Sequence, residues 1–294
     1  MRLFLALFLL LVATLSQADT GSVYIVLSDN NKLYQQAAQA VQAELKMQGF
    51  SKPIHISSIQ SLHKKALHPK DLIVPLGEQA ALNIHYSFER NSHLYSFIDR
   101  TQIPPHTDSE WAAVVIDQPV QRLFDLASTI VAGRYRDKVI VAISEENQLL
   151  RDEISKLNNQ SGIPFEVLLV DENSQPAKVI DKALFNAGAL LAVRDEHIWS
   201  GENAKWMLYQ SYKFNVPVIG YSKRFLKAGA LASVYATLPQ TTDKTVQLIM
   251  QWEQQGMLTE HGIVYPNFEI EFNKNIARAL KITIPEILPE GNKN

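Results

Sequence analysis

The runs Leu72-Ile73-Val74-Pro75-Leu76 and Val139-Ile140-Val141-Ala142-Ile143 are apolar at every position. A strand with one wet face alternates apolar and polar residues, so a run without alternation must be covered on both faces. Such strands belong to a parallel sheet sandwiched between helices, which sets the fold class as α/β. The segments between the runs agree. From Leu33 to Met47, residues Tyr34, Ala37, Ala38, Val41 and Leu45 recur at helical spacing and share one face.

Two series of this kind follow one another. In the first, strands at 23–27, 54–56, 71–76, 94–98 and 112–116 alternate with helices at 33–47, 60–67 and from Glu78 on. The second opens at Pro119, with helices over 120–131, 145–158, 177–185 and 204–214. Its strands are 138–143, 165–170, 189–193, 216–219 and 230–236. An amphipathic helix over 242–254, an alternating strand at 268–272 and a helix over 275–280 close the chain. Two sheets are expected, with lobe 1 at 19–117 plus about 237–266 and lobe 2 at 118–236 plus about 267–294. No low-complexity linker separates them, so a cleft between two lobes is the expected ligand site.

The N-terminus reads as an export signal. Arg2 precedes an apolar run from Leu3 to Ala13, and Ser16-Gln17-Ala18 supplies small residues for cleavage after Ala18. The run falls short of the ~20 residues that span a bilayer. A periplasmic protein is therefore expected, with residues 1–18 removed. The 294-residue chain holds no cysteine, which excludes disulfides, thiolate catalysis and Cys-based metal sites. With 28 basic against 30 acidic residues and no long run of either sign, nucleic acid is not an expected partner.

In open α/β sheets ligands bind beyond the carboxyl ends of the strands. The loops there offer Ser28 and Asn30, then Glu78, then Ser144 and Asn147, then Asp195, then Tyr221. Hydroxyls, amides, carboxylates and an aromatic ring suit a polar small molecule. Helix capping selects Ser28, Asp29, Asn30 and Ser144 equally well, and a solvated loop is the alternative for 194–197. The eight histidines lack metal-binding spacing, so no metal and no cofactor are expected. Gly220-Tyr221-Ser222-Lys223-Arg224 begins like a nucleophile elbow but has Arg224 where the second glycine belongs. An enzyme is not expected.

Several stretches together carry a resemblance. They are Asp117-Gln118-Pro119-Val120-Gln121, Ser144-Glu145-Glu146-Asn147, Val216-Pro217-Val218-Ile219-Gly220, Lys227-Ala228-Gly229-Ala230-Leu231-Ala232-Ser233, and the ending from Asn273 to Glu286. With these the chain resembles the ABC transporter substrate-binding family of tryptophan- or tyrosine-type periplasmic components. Where that family commonly has Pro-Thr-Asp-Asn, this chain has Val193-Arg194-Asp195-Glu196, which keeps the acidic position. The resemblance implies a type I periplasmic-binding architecture of two Rossmann-like lobes with three crossings and a hinge. It also implies a monomer that carries a small organic ligand, an amino acid or aromatic compound, to a membrane ABC permease. A ligand sensor or protein-interaction module of the same fold is the alternative.

Overall fold

The computed structural model describes residues 21–105 and 110–286. The expected signal segment, residues 1–18, lies outside them. Among the described residues no helix is long and apolar enough to cross a membrane.

The chain divides into two units. Unit 1 comprises the chain up to Val114 together with Thr242–Val264, and unit 2 comprises Val115–Thr241 and the chain from Tyr265 on. The backbone therefore passes from one to the other three times.

Unit 1 is built from β1 (Val23–Leu27), α1 (Lys32–Met47), β2 (Ile54–Ser58), α2 (Ile59–Leu62), β3 (Leu72–Leu76), α3 (Glu78–Ser87), β4 (Ser92–Ile98) and β5 (Trp111–Val115). Unit 2 runs through α4 (Val120–Val131), β6 (Val139–Ser144), α5 (Gln148–Ser155), β7 (Phe165–Val170), α6 (Pro176–Leu184), β8 (Ala189–Leu191), α7 (Gly201–Lys213), β9 (Val218–Gly220), α8 (Lys223–Ala228) and β10 (Ala232–Tyr235). Helix α9 (Leu238–Gln255) returns to unit 1, where β11 (Gly262–Val264) follows. The chain ends in unit 2 with β12 (Glu269–Phe272) and α10 (Lys274–Ala279).

Each unit contains a six-stranded sheet, in the orders β11-β5-β4-β3-β1-β2 and β12-β10-β9-β8-β6-β7. The two orders are the same once strands are counted within their own unit. Strand β12 pairs antiparallel to β10, while β6, β7, β8, β9 and β10 pair parallel to their neighbours. In each unit the first strand lies between the second and the third, so the order reverses beside it. That reversal is a topological switch point.

The unbroken apolar runs are explained by the packing of β6. Val139, Val141 and Ile143 join one core cluster with Leu123, Phe124 and Ala127 of α4, and Ile140 and Ala142 join another with Ile180 of α6 and Met207 of α7. Both faces of the strand are dry, and each fully buried Val, Ile or Leu contributes about 2 kcal/mol. In α1 the residues at helical spacing, Ala37, Ala38, Val41 and Leu45, are buried as the periodicity requires.

Some boundaries differ from expectation. The helix expected over 60–67 is the single turn Ile59–Leu62, because the following His63-Lys64-Lys65 supplies no apolar face and His63 instead stacks on Phe88 at 5.7 Å. The helix expected from 145 starts at Gln148, with Asn147 as its cap. The strand expected over 230–236 is β10, Ala232–Tyr235, in the unit 2 sheet. Strand β11, three residues long, carries no run that announces it.

Arg122 of α4 gathers the two chain segments that enter unit 2. Its guanidinium donates to Gln118 Oε1 and to the Pro266 carbonyl at 3.4 Å, and it lies 4.2 Å over the Phe268 ring. Burial holds its pKa below the ordinary arginine value.

At the opposite end of the unit 2 strands, Gly188 passes so close to the turn before β6 that an added Cβ would meet the Arg136 carbonyl oxygen at 2.4 Å. Only a backbone shift relieves such a contact. Gly188→Ala is expected to cost about 2 kcal/mol, measured as a lower urea midpoint in chemical denaturation.

Candidate functional site

The two switch points are built alike. In unit 1, Ser28 follows β1, and its hydroxyl donates to the Leu76 carbonyl at 2.7 Å and accepts from Ala80 N at 2.9 Å. In unit 2, Ser144 ends β6, and its hydroxyl donates to Asp195 Oδ2 at 2.7 Å. Each serine ties the end of its unit's first strand to the chain beyond the third. Neither caps the helix that follows it in sequence, since Asn31 caps α1 and Asn147 caps α5; Ser28 instead satisfies a first-turn N–H of α3, whose own Gly77 cap has no side chain to do so.

Asp195 is the hub of the unit 2 site. It is 3% exposed. Its Oδ2 also accepts from Ser144 N at 2.9 Å and from Asn147 Nδ2 at 3.1 Å, while Oδ1 accepts from Ile198 N at 3.2 Å. A buried carboxylate is tolerable only with donors of this number and quality. The sequence-selected Ser144, Asn147 and Asp195 therefore meet, and the protein itself occupies Asp195 Oδ2. This carboxylate positions the loop 194–199 rather than presenting that oxygen to solvent.

That loop brings up the next candidate. The Arg194 guanidinium lies 4.9 Å over the ring of half-buried Tyr221, at the end of β9. Phe225 packs 4.9 Å from Tyr221 and 5.4 Å from Trp199. Trp199 Nε1 and His197 Nε2 are buried without a hydrogen-bond partner. The result is an aromatic wall with a cation laid on it.

In unit 1 the structure adds residues to Ser28 and Glu78. Gly77 takes φ +84°, and a Cβ there would lie 2.3 Å from the Tyr34 hydroxyl, so the glycine makes room for this phenol. Glu78 Oε2 accepts from Gln102 Nε2 at 3.1 Å, and Asp99, 8% exposed, donates its N–H to Gln102 Oε1 at 3.3 Å. Burial, reinforced by Asp29, Asp99 and Glu78, raises the Tyr34 pKa against a lowering by its hydrogen bond with Ser28. The phenol thus stays protonated and able to donate. Asn30 stands apart: it is exposed, and its carbonyl accepts from Gln35 Nε2 at 3.0 Å. Phe97, beside this group in β4, is held at φ 52°, a conformation bulky residues seldom adopt.

Sequence reasoning also missed Tyr235, at the carboxyl end of β10. Its hydroxyl donates to Glu271 Oε2 at 2.6 Å, and Lys223 Nζ lies 3.1 Å from the same oxygen. The signal was present in the alternation Glu269-Ile270-Glu271-Phe272, which puts both glutamates on one face, but the partner strand could not be read from it.

Among the described residues no group of three or more His, Cys, Asp or Glu is arranged to hold a metal. A groove of about 690 Å³ lined by Gln121, Asp125 and Asn158 lies on the flank of α4, before β7 and away from the carboxyl ends of the strands. The Gln121 amide there is already paired, with Asp125 and with the Asn158 backbone.

The pair of similarly ordered sheets finds counterparts among solved structures. The chain is similar to a ligand-free, open substrate-binding protein with adhesive properties from Clostridium difficile, with TM-score 0.68, 13% identity, and 92% of this chain and 97% of that one covered. The chain has the type I periplasmic-binding fold. An ABC domain in complex with L-Trp from Streptococcus pneumonia shares the fold at TM-score 0.57 and 16% identity, over 90% of this chain and 96% of the other. A periplasmic ribose ABC transporter structure from Conexibacter woesei does so at TM-score 0.55 and 12% identity, over 89% and 95%. No family model matches the chain, and no curated protein does. In this type I fold the residues above fall on the carboxyl edges of the two sheets.

Two predictions test the site. Asp195→Ala leaves the donors of Ser144, Asn147 and Ile198 without their acceptor, and is expected to cost about 3 kcal/mol in chemical denaturation. The hydrogen bond from Tyr235, with a smaller contribution from Lys223, lowers the Glu271 pKa below its ordinary 4.5. A depressed folded-state pKa adds stability above 4.5 that is lost as pH falls through the folded value. Tyr235→Phe is expected to shrink that acid-side loss, measured as a smaller drop in melting temperature between neutral pH and the region below 4.5.

Proposed function

We propose that the chain is a periplasmic solute-binding protein that holds a small organic ligand between its two lobes and delivers it to a membrane ABC permease. The observation that carries this reading is the matched pair of switch-point serines. Ser28 and Ser144 occupy equivalent places in two sheets of the same order, Ser28 accepting from Ala80 N and Ser144 donating to Asp195, both in the chain after the third strand. Ligands of open α/β sheets bind at such points.

The ligand class follows from the chemistry at the two edges. Tyr34, Glu78 and Gln102 offer a phenol, a carboxylate and an amide, which suit an amine or a hydroxyl. Arg194 over Tyr221, backed by Phe225 and Trp199, suits a carboxylate and a flat ring. An amino acid or aromatic compound is the proposed ligand, and the L-Trp complex among the similar folds supports this choice. Asn30, Asn147 and Asp195 complete the proposed site set, the last two by holding its loops. The protein is proposed to act as a monomer, without enzymatic activity, after export through the 1–18 segment. Closure on the ligand would shift a population by hinge motion at the three chain passages.

The test is a thermal-shift screen against amino acids, aromatic acids, sugars and nucleosides. A ligand at ~100 times its dissociation constant stabilises by about 2.7 kcal/mol, a measurable rise in melting temperature. Tyr221→Ala is expected to weaken the best binder about tenfold or more in calorimetric titration, and, because the ring also packs on Phe225, to lower the melting temperature of the free protein while leaving its circular-dichroism spectrum that of a folded chain. A broad screen with no stabilising compound would replace this reading with the interaction-module alternative.

A further inference from the structure

The amino-terminal ends of the unit 2 strands carry a cluster that the ligand reading leaves unused. Strands β6, β8 and β9 are neighbours and run parallel, so the turns entering them lie side by side. Tyr135 stands in the turn before β6 and Phe185 in the turn before β8, and Tyr209 and Tyr212 lie in the last turns of α7, which leads to β9. Contacts hold these turns together. Arg136 donates to the Phe185 carbonyl at 3.2 Å and to the Phe214 carbonyl at 2.8 Å, and Gly188 N donates to the Lys138 carbonyl at 2.7 Å.

The rings point outward. Tyr135 is fully exposed, and Phe185, Tyr209 and Tyr212 are 70%, 60% and 47% exposed. A soluble surface gains nothing from displaying four large aromatic side chains at one end of a sheet, and such a patch marks an interaction surface. Tyr209 and Tyr212 are three residues apart and share a helix face, as do Lys182 and Phe185 at the end of α6.

Charge selects the partner. Arg134, Arg136, Lys182 and Lys213 stand in these turns and helix ends, with the Lys213 ammonium 5.4 Å over the Tyr209 ring. Asp137 and Asp181 are the acidic residues among them, and Lys138 is paired with Glu166 at 2.8 Å. Aromatic rings with polar edges, set among cations and without exposed aliphatic side chains, match the headgroup layer of a bilayer that carries negative charge. We infer that this end of unit 2 is a docking surface for an anionic phospholipid bilayer. The carboxyl edge of the sheet, with Ser144, Asp195 and Tyr221, is at the other end of the same strands, so docking leaves it uncovered.

Vesicle co-sedimentation tests this. The chain from Asp19 onward is used, which keeps every described residue and omits the apolar 3–13 run that would itself enter a bilayer. It is expected to pellet with phosphatidylcholine vesicles containing about a third phosphatidylglycerol, not with phosphatidylcholine alone, and to be released by salt. The combined variant Tyr135→Ser, Phe185→Ser, Tyr209→Ser should lower partitioning about tenfold or more, and Lys182→Glu with Lys213→Glu should remove the preference for anionic vesicles. All five side chains are exposed, so unchanged circular-dichroism melting will show that the variants fold. Absence of binding to anionic vesicles, or equal binding by the variants, overturns the inference. So does self-association in the absence of lipid that the aromatic variant abolishes while vesicles bind nothing, because the patch would then join two copies.

Discussion

A parallel strand that is dry on both faces can be joined to its neighbour only by a crossover that packs on the sheet, and this constraint organises everything else in the protein. It brings the carboxyl ends of the parallel strands to one edge of each sheet. The order reverses beside the first strand, so the loops after the first and third strands diverge there and leave a gap. Ser28 and Ser144 bridge that gap in their own units. The site is therefore a by-product of topology, and the side chains need only decorate a position the sheet has already opened.

The two units decorate it differently. Unit 2 spends a buried carboxylate, Asp195, on holding its loop, and the donors around that group leave it little freedom to reorient. Unit 1 places Tyr34 against a glycine in the left-handed region, where burial, aided by nearby carboxylates, keeps the phenol's proton in place. The unit 2 group is fixed by a hydrogen-bond hub on Asp195, and the unit 1 group by steric room at Gly77 and by the burial of Tyr34.

The parts of this arrangement legible in the sequence are those that depend on local pattern. Buried strands such as β3 and β6, the amphipathic face of α1 and the loops holding Ser144, Asn147, Asp195 and Tyr221 follow from periodicity and from where ligands sit on α/β sheets. The unread parts depend on contacts between distant residues. Ser144 and Asp195 are 51 apart, so nothing local distinguishes this serine from a cap, a role that falls to Asn147. Tyr34 was readable as one residue of a helix face, while its place beneath Gly77 needs the β1–β3 pairing. Tyr235 needs the antiparallel register with β12, and the three residues of β11 are too few to form a pattern.

The three passages of the backbone between units also bear on how the molecule is made. Unit 1 is not a continuous stretch of chain: Ser96 is bonded to Thr245, 149 residues on, and Ser51 to Glu253, 202 residues on. Until Thr242–Val264 has been synthesised, β5 has no β11 at its side and α9 is absent, so the first hundred residues cannot reach their final form as they emerge. Closing loops of this length is slow and entropically costly. The half of the protein that is made first is thus the half that finishes folding late, waiting on a segment that reaches it only after most of its partner has been built.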